Sequence, residues 1–364
     1  MRYFFVCGEA SGDLHASYVI KDLIDRQKDC QVCAWGGDKM EAAGAQMKMH
    51  YAKLAFMGFW EVFKNLRRII SLVGQCKQDI LEFKPDVIVL VDYPGFNLRI
   101  ARFAKKQGIR VIYYISPKVW VWRASRVNMI KRVVDKMLVI FPFEKAFYKR
   151  YDFEVNYVGN PVLDAVDNYQ GEGIRTYLED KNKTVIGLIP GSRVQEVRRA
   201  MPLMLALSRV NPNYQFVLSC MSHLKEEYGE VNEPNVKLVY DDAYTILKDA
   251  DAAVVTSGTA TLEAALFNVP QMVCYMANDI SYMIGKRVVN VEYISLVNLI
   301  LDKTLVVELV QNQFNLSNMQ YELEKLVEDE TYRQTIISGY ENIKNLLGDG
   351  PVAPRVVDEI LDES

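Results

Sequence analysis

Val87-Ile88-Val89-Leu90-Val91, followed at once by Asp92-Tyr93-Pro94-Gly95-Phe96-Asn97, decides the fold. Five aliphatic residues in a row, with no polar alternation, read as a strand buried on both faces. A Pro/Gly loop comes next, then a helical pattern over Leu98–Gln107 and a second apolar run over Arg110–Ile115. Strand, loop, helix, strand is the repeating unit of a parallel α/β sheet.

The alternation runs outward in both directions. Further strands are expected at Tyr3–Cys7, Lys136–Phe141, Thr184–Ile189, Gln215–Ser219, Ala252–Val255 and Gln271–Tyr275. Helical patterns lie at Gly12–Lys28, Val62–Phe83, Val194–Val210, Ala243–Lys248 and Leu262–Phe267. The pattern restarts near Thr184, after a polar, Gly-containing stretch from Asp164 to Lys183 that reads as a linker. The expectation is two doubly wound α/β domains, 1–165 and 180–345, with a short terminal helix over 351–364. A length of 364 residues, half of them hydrophobic, suits two such domains and excludes disorder as the main state.

The net charge of −3 argues against a general nucleic-acid binder. It hides an asymmetry: residues 61–150 carry a local +12 and the remainder −15. A basic region in one lobe points to an anionic partner. No apolar run approaches the ~18 residues of a membrane span. Met1–Cys7 reads as a strand entering a loop rather than a signal peptide, so a cytoplasmic location is expected. The six Cys fit a reducing compartment. Cys30-Gln31-Val32-Cys33 is formally a CxxC, but the three His offer no ligand spacing beside it, so strand residues are the simpler reading.

In doubly wound sheets, ligands sit beyond the carboxyl ends of the strands. The unusual loops of this chain nearly all follow strands. Gly8-Glu9-Ala10-Ser11-Gly12-Asp13 places small residues where strand becomes helix, a place for close backbone approach and an anion on free amides, or simply a tight turn. Its spacing is not the dinucleotide GxGxxG. Asp92 ends a strand and is a candidate general base, or else an Asx turn that starts the Pro/Gly loop. Ser257-Gly258-Thr259-Ala260-Thr261-Leu262-Glu263 clusters hydroxyls and amides at a helix start, suited to a diphosphate, with Glu263 placed to accept from ribose hydroxyls. An ordinary N-cap accounts for the same residues taken alone. Beside Pro190-Gly191-Ser192-Arg193 the nucleotide reading prevails, because Arg193 supplies the charge a departing diphosphate needs. Asp249-Ala250-Asp251 resembles a metal-binding DxD but precedes a strand, at the wrong edge for a ligand.

Residues 55–63 are apolar beyond what a surface loop needs, and Lys64, Arg67 and Arg68 follow. Phe56, Phe59, Trp60 and Phe63 beside those cations suit a surface lying on anionic lipid. A core-packing helix with a solvated basic face is the alternative.

Taken together, these segments resemble one family, the lipid-A-disaccharide synthases. The matching stretches are GEASGD (8–13), MGFWEV (57–62), DYPGFN (92–97), YISPKVWVWR (114–123), FPFEKAFY (141–148), VGNP (158–161), PGSR (190–193), SGTATLE (257–263) and SLVNLI (295–300). The resemblance implies a GT-B fold, two Rossmann-like domains facing across a cleft. It implies an inverting glycosyltransferase that joins UDP-2,3-diacylglucosamine to 2,3-diacylglucosamine 1-phosphate (lipid X), giving the disaccharide 1-phosphate and UDP. No cofactor and no metal are implied. By motif, the resemblance implies that Asp92 is the catalytic base and Arg193 the donor-phosphate residue. Ser192, Ser257, Gly258, Thr259, Ala260, Thr261 and Glu263 line the donor side. Gly8, Glu9, Ser11, Gly12, Asp13, Asn97 and Ser116 line the acceptor side. Peripheral association with the anionic inner membrane follows from the acylated substrates, and a homodimer is left open. Three positions depart from the family pattern: Asn160 where His is common, Met276 where a basic residue is common, and Val297 where Pro is usual. Two rival readings stand beside this one, a UDP-N-acetylglucosamine 2-epimerase-like isomerase and a non-catalytic nucleotide-sugar or lipid-binding protein.

Overall fold

The computed structural model describes residues 1–53, 66–122, 124–277 and 292–362. The chain forms two compact units, Met1–Asp164 with Gly350–Ser364, and Ala165–Asp349.

The first unit holds a seven-stranded, all-parallel sheet. Its strands are β1 (Arg2–Val6), β2 (Gln31–Gly36), β3 (Gln46–His50), β4 (Val87–Val91), β5 (Arg110–Tyr114), β6 (Lys136–Val139) and β7 (Asn156–Tyr157). Their order is β3-β2-β1-β4-β5-β6-β7. The second unit is a six-stranded parallel sheet of β8 (Val185–Ile189), β9 (Gln215–Cys220), β10 (Val236–Tyr240), β11 (Ala252–Thr256), β12 (Gln271–Tyr275) and β13 (Glu308–Val310). Its order is β10-β9-β8-β11-β12-β13. In each sheet the strand order reverses once, between β1 and β4 and between β8 and β11. These reversals are the switch points at which open α/β sheets leave a crevice beyond their strand ends.

Every residue of β4, β8 and β11 is buried, which is why their sequences are almost wholly free of polar residues, Thr256 at the end of β11 excepted. The strands absent from the sequence reading are the four edges, β3, β7, β10 and β13; β2 begins within Cys30–Cys33, the pair read as strand residues. Helix Val194–Val210 matches its expected bounds. Helix Pro94–Lys106 starts four residues before the expected Leu98, because Pro94 sits at its first turn with φ already suited to a helix.

Of the stretch expected as a helix over Val62–Phe83, Leu66–Phe83 is described. Ile69, Val73, Cys76, Ile80 and Phe83 are buried at helical spacing, while Arg68 and Ile70 face outward. This part is a core-packing helix with a solvated face. Phe56, Phe59, Trp60, Phe63, Lys64 and the side chain of Arg67, expected to face a membrane, lie outside the described residues. Among the described residues no helix is long and apolar enough to cross a membrane.

The stretch read as a linker is in part packed structure, since Ile174 and Leu178 belong to the core of the second unit. The terminal helix, Val352–Leu361, packs on the first unit through Val352, Val356, Val357 and Ile360. The Asp164 carboxylate accepts from the amides of Val352 (2.9 Å) and Ala353 (3.2 Å), and Lys136 pairs with Glu359 (3.2 Å) and Asp362 (2.7 Å). All six cysteines are free thiols, and burial pushes Cys33, inside β2, up to about 11. A buried thiol held protonated is a poor nucleophile and a poor metal ligand.

Candidate functional site

The loops after β1 and β4 meet at the switch point of the first sheet. Beyond β4, Asp92 (φ 44°) and Tyr93 (φ 49°) are consecutive left-handed residues, neither of them glycine. Such backbone is disfavoured for L-residues and persists only where the surroundings fix it. It turns the chain sharply out of the strand and into helix Pro94–Lys106, with the Asp92 side chain half-buried at the sheet's carboxyl edge. The Asp92 amide still donates to the Tyr114 carbonyl (2.9 Å), and its own carbonyl accepts from Tyr113 Oη (2.5 Å) and Asn97 Nδ2 (2.8 Å). A third left-handed residue, Ile115 (φ 64°), ends the neighbouring β5.

Several residues expected to face a ligand are used by the fold instead. A β-carbon on Gly8 would lie 2.4 Å from the Tyr93 ring, so the close approach at Gly8 is made by that ring. A β-carbon on Gly12 would meet Cys7 Cβ at 3.0 Å. Asp13 is buried and accepts from the amides of Gly37 (2.8 Å), Lys39 (3.1 Å) and Met40 (3.1 Å), capping helix Asp38–Ala42. Asn97 is wholly buried, with its Nδ2 also near the carbonyls of Val91 (3.1 Å) and Val6 (3.3 Å). Ser116 is buried and donates to Glu144 Oε1 (2.5 Å). Glu9 and Ser11 remain exposed where helix Ala10–Arg26 begins.

Glu144 is a residue the sequence reading missed. Its buried carboxylate also accepts from Trp120 Nε1 (3.2 Å) and from the amides of Ile140 (3.1 Å) and Phe141 (3.0 Å). Burial pushes this carboxyl up, opposed by those four hydrogen bonds. The network joins the loop after β5 to the start of helix Pro142–Lys149. The available signal was Pro142 followed two residues later by an acid, a helix-start pattern.

In the second unit, Gly191 (φ 100°) turns the chain after β8. Glu196, also missed, reaches back from helix Val194–Val210 to accept from the amides of Ser192 (3.1 Å) and Arg193 (3.2 Å). It also pairs with the Arg193 guanidinium at 3.2 Å, with the Arg193 side chain 75% exposed. The amides at this helix start therefore already hold a carboxylate, while the Arg193 side chain, expected to supply charge to a diphosphate, stands largely open to solvent.

The hydroxyls after β11 differ from expectation in the same way. Ser257 Oγ donates to the Ile294 carbonyl (2.7 Å). Buried Thr261 donates to the Gly258 carbonyl (2.9 Å) and accepts from the Leu296 amide (3.2 Å). Both fasten residues 294–296, which Glu308 also holds through the amides of Ile294 (3.0 Å) and Ser295 (2.9 Å). Gly258 and Thr259 stay exposed, and Ala260 opens the helix Ala260–Leu266. Glu263 is half-buried, accepts from Tyr244 Oη (3.2 Å), and is pushed by burial up to about 7.

Asn160 is buried, bonding the Ile140 carbonyl (3.3 Å) and the Val162 amide (3.1 Å), and Val297 is a core residue. The Met276 carbonyl accepts from Arg199 (3.3 Å). Asp249 accepts from the Arg175 amide (2.9 Å), and Asp251 holds the Arg175 guanidinium (2.6 Å) and the Val185 amide (2.7 Å). Both acids of the DxD therefore anchor chain at the amino edge of the sheet. Among the described residues no group of three or more His, Cys, Asp or Glu side chains is arranged to hold a metal ion.

Solved structures share this architecture. UDP-GlcNAc 2-epimerase from Neisseria meningitidis, bound to UDP-GlcNAc, superposes with a TM-score of 0.73 at 15% identity, covering 99% of this chain and 100% of that one. The glycosyltransferase of kitacinnamycin gives a TM-score of 0.66 at 16% identity, covering 99% and 98%. At such identities the likeness is one of fold. The sequence relatives are much nearer. The lipid-A-disaccharide synthase of Syntrophus aciditrophicus (strain SB) is 37% identical over 354 residues, 94% of this chain and 92% of that protein. The lipid-A-disaccharide synthase of Geobacter sulfurreducens is 33% identical over 373 residues, 99% of this chain and 97% of that protein. The profile of the lipid-A-disaccharide synthetase family matches residues 3–350. With a match of that extent added to two Rossmann-like sheets whose motif loops sit at their switch points, this chain belongs to the lipid-A-disaccharide synthetase family.

Proposed function

We propose that this chain is the glycosyltransferase that joins UDP-2,3-diacylglucosamine to 2,3-diacylglucosamine 1-phosphate, releasing UDP. One observation carries the reading: in a chain of this family, the residues proposed for chemistry stand at the switch point of each sheet, Asp92 beyond β4 and Arg193 beyond β8. The first unit takes the acceptor and the second the donor.

The donor is an α-linked nucleotide sugar and the product is β-1,6-linked, so the anomeric carbon inverts in one displacement. The acceptor C6 oxygen forms the new bond to that carbon as the bond to the UDP phosphate oxygen breaks. Asp92 takes the hydroxyl proton. The leaving diphosphate carries away the electron pair, and the exposed Arg193 guanidinium meets its charge, aided by the open Gly258–Ala260 turn. Glu263 holds the ribose. Charge on the leaving group is met without a metal. The chain works at the inner face of an anionic membrane, on which the basic 61–150 region and Phe56, Phe59, Trp60 and Phe63 rest.

Purified protein with donor alone, then with donor and acceptor, each with and without EDTA, tests this. The expected result is turnover only with both substrates, a product of the disaccharide's mass, and no effect of EDTA. An epimerised sugar from donor alone identifies an isomerase, and binding without product identifies a carrier. Loss in EDTA with rescue by Mg²⁺ overturns the metal-free account.

A further inference from the structure

The turn that presents Asp92 is held in an unfavourable shape, and two buried side chains restrain it through its carbonyl. The peptide between Asp92 and Tyr93 lies between two left-handed residues, so its carbonyl oxygen reports directly on ψ of Asp92 and φ of Tyr93. That oxygen accepts two hydrogen bonds from different elements. Tyr113 reaches it from β5, where it stands in register with Leu90 of β4, and Asn97 reaches it from the first turn of the following helix. Both donors are wholly buried, so each reaches the half-buried turn from a fixed position in the core.

Asn97 is a costly choice for mere packing. Its Oδ1 is buried with no hydrogen-bond partner among the described residues. An isosteric Leu would leave no orphaned acceptor. What Asn97 contributes is a donor within reach of three carbonyls, those of Val6, Val91 and Asp92, gathering the ends of β1 and β4 around the turn.

We propose that Tyr113 and Asn97 are positioning residues, which clamp the Asp92 carbonyl and so hold the left-handed turn from which the Asp92 carboxylate meets the acceptor hydroxyl. This rests on the reading of Asp92 as the base. Loss of a clamp bond lets the turn relax toward ordinary backbone and moves the carboxylate off line, without touching either substrate. The signature is a fall in kcat with KM unchanged.

The test compares Asp92→Asn, Tyr113→Phe and Tyr340→Phe with the wild type. Tyr340 is a control in the second unit, equally buried, whose hydroxyl bonds the Val269 carbonyl (3.1 Å). Asp92→Asn should lower kcat about 10²–10⁴-fold. Tyr113→Phe should lower kcat about tenfold, with KM for both sugars within about twofold of wild type. Tyr340→Phe should lower Tm and leave kcat unchanged. Should Tyr113→Phe fail to fold, Asn97→Leu carries the same expectation. Full activity in Asp92→Asn overturns the base assignment and the clamp with it. An inactive Asp92→Asn beside a Tyr113→Phe enzyme with wild-type kcat overturns the clamp alone, as does a kcat loss no larger than that of Tyr340→Phe.

Discussion

Gly8 and Tyr93 interlock: the Tyr93 ring covers Gly8 so closely that a β-carbon there would sit 2.4 Å from ring atoms. The contact joins the loops after β1 and β4 at the switch point, one residue from Asp92. Gly8→Ala should therefore displace the ring and its left-handed backbone. Overpacking of this kind typically costs about 1–3 kcal/mol. A lower urea midpoint and a lower kcat are expected together. If both match wild type, the ring moves freely and the interlock does not position Asp92.

Arg193→Ala should separate stability from binding. The guanidinium is largely exposed and its pairing with Glu196 is a surface one, so removing it should change stability by less than about 1 kcal/mol. UDP affinity, measured by calorimetry, should fall, and transfer should slow with it. Glu196→Ala should do the reverse, removing the acceptor at a helix start at a cost of about 0.5–2 kcal/mol while leaving the cation in place. Unchanged UDP affinity in Arg193→Ala means that the residue does not meet the diphosphate.

Glu263 should make stability depend on pH. Burial raises its carboxyl from 4.5 to about 7, so the folded chain holds that proton more tightly than the unfolded chain does. Its contribution then weakens as pH rises from 4.5 to about 7, and is level above that. Glu263→Gln keeps an acceptor for Tyr244 and abolishes the titration. Denaturation across that window should show the variant gaining on wild type as pH rises. A difference independent of pH refutes the assignment.

Vesicle flotation tests the membrane face. Wild type should float with anionic vesicles, more at low salt than at high, because each basic residue near such a surface contributes about 1 kcal/mol that salt screens. Phe59→Ser/Trp60→Ser should lose the fraction that survives high salt. Equal flotation of the two proteins in both conditions places the lipid contact elsewhere.

Composition and order along the chain were enough to read the α/β class and two doubly wound domains. A central strand such as β4 is buried on both faces, so its residues are apolar without interruption and legible alone. The edges β3, β7, β10 and β13 are half-exposed and free to be polar, and they escaped notice because a strand of that kind exists only through its neighbour. The same reason divides the site residues. Asp92 and Arg193 stand out in sequence as charged residues following buried strands, and the fold leaves Asp92 half-buried and the Arg193 side chain largely exposed. Asp13, Asn97, Ser116, Ser257 and Thr261 looked alike in sequence, yet each is fastened to backbone or side chains distant along the chain, at Gly37, Val6, Glu144, Ile294 and Leu296. Glu144 and Glu196 passed as ordinary helix acids until folding brought amides and Ser116 to one and left the other curled over its own helix start. Whether a polar side chain is open to a ligand or already satisfied depends on which partners the fold brings within about 3 Å, and for Asp13, Asn97, Ser116, Ser257 and Thr261 those partners lie far along the chain, so tertiary contact decided it.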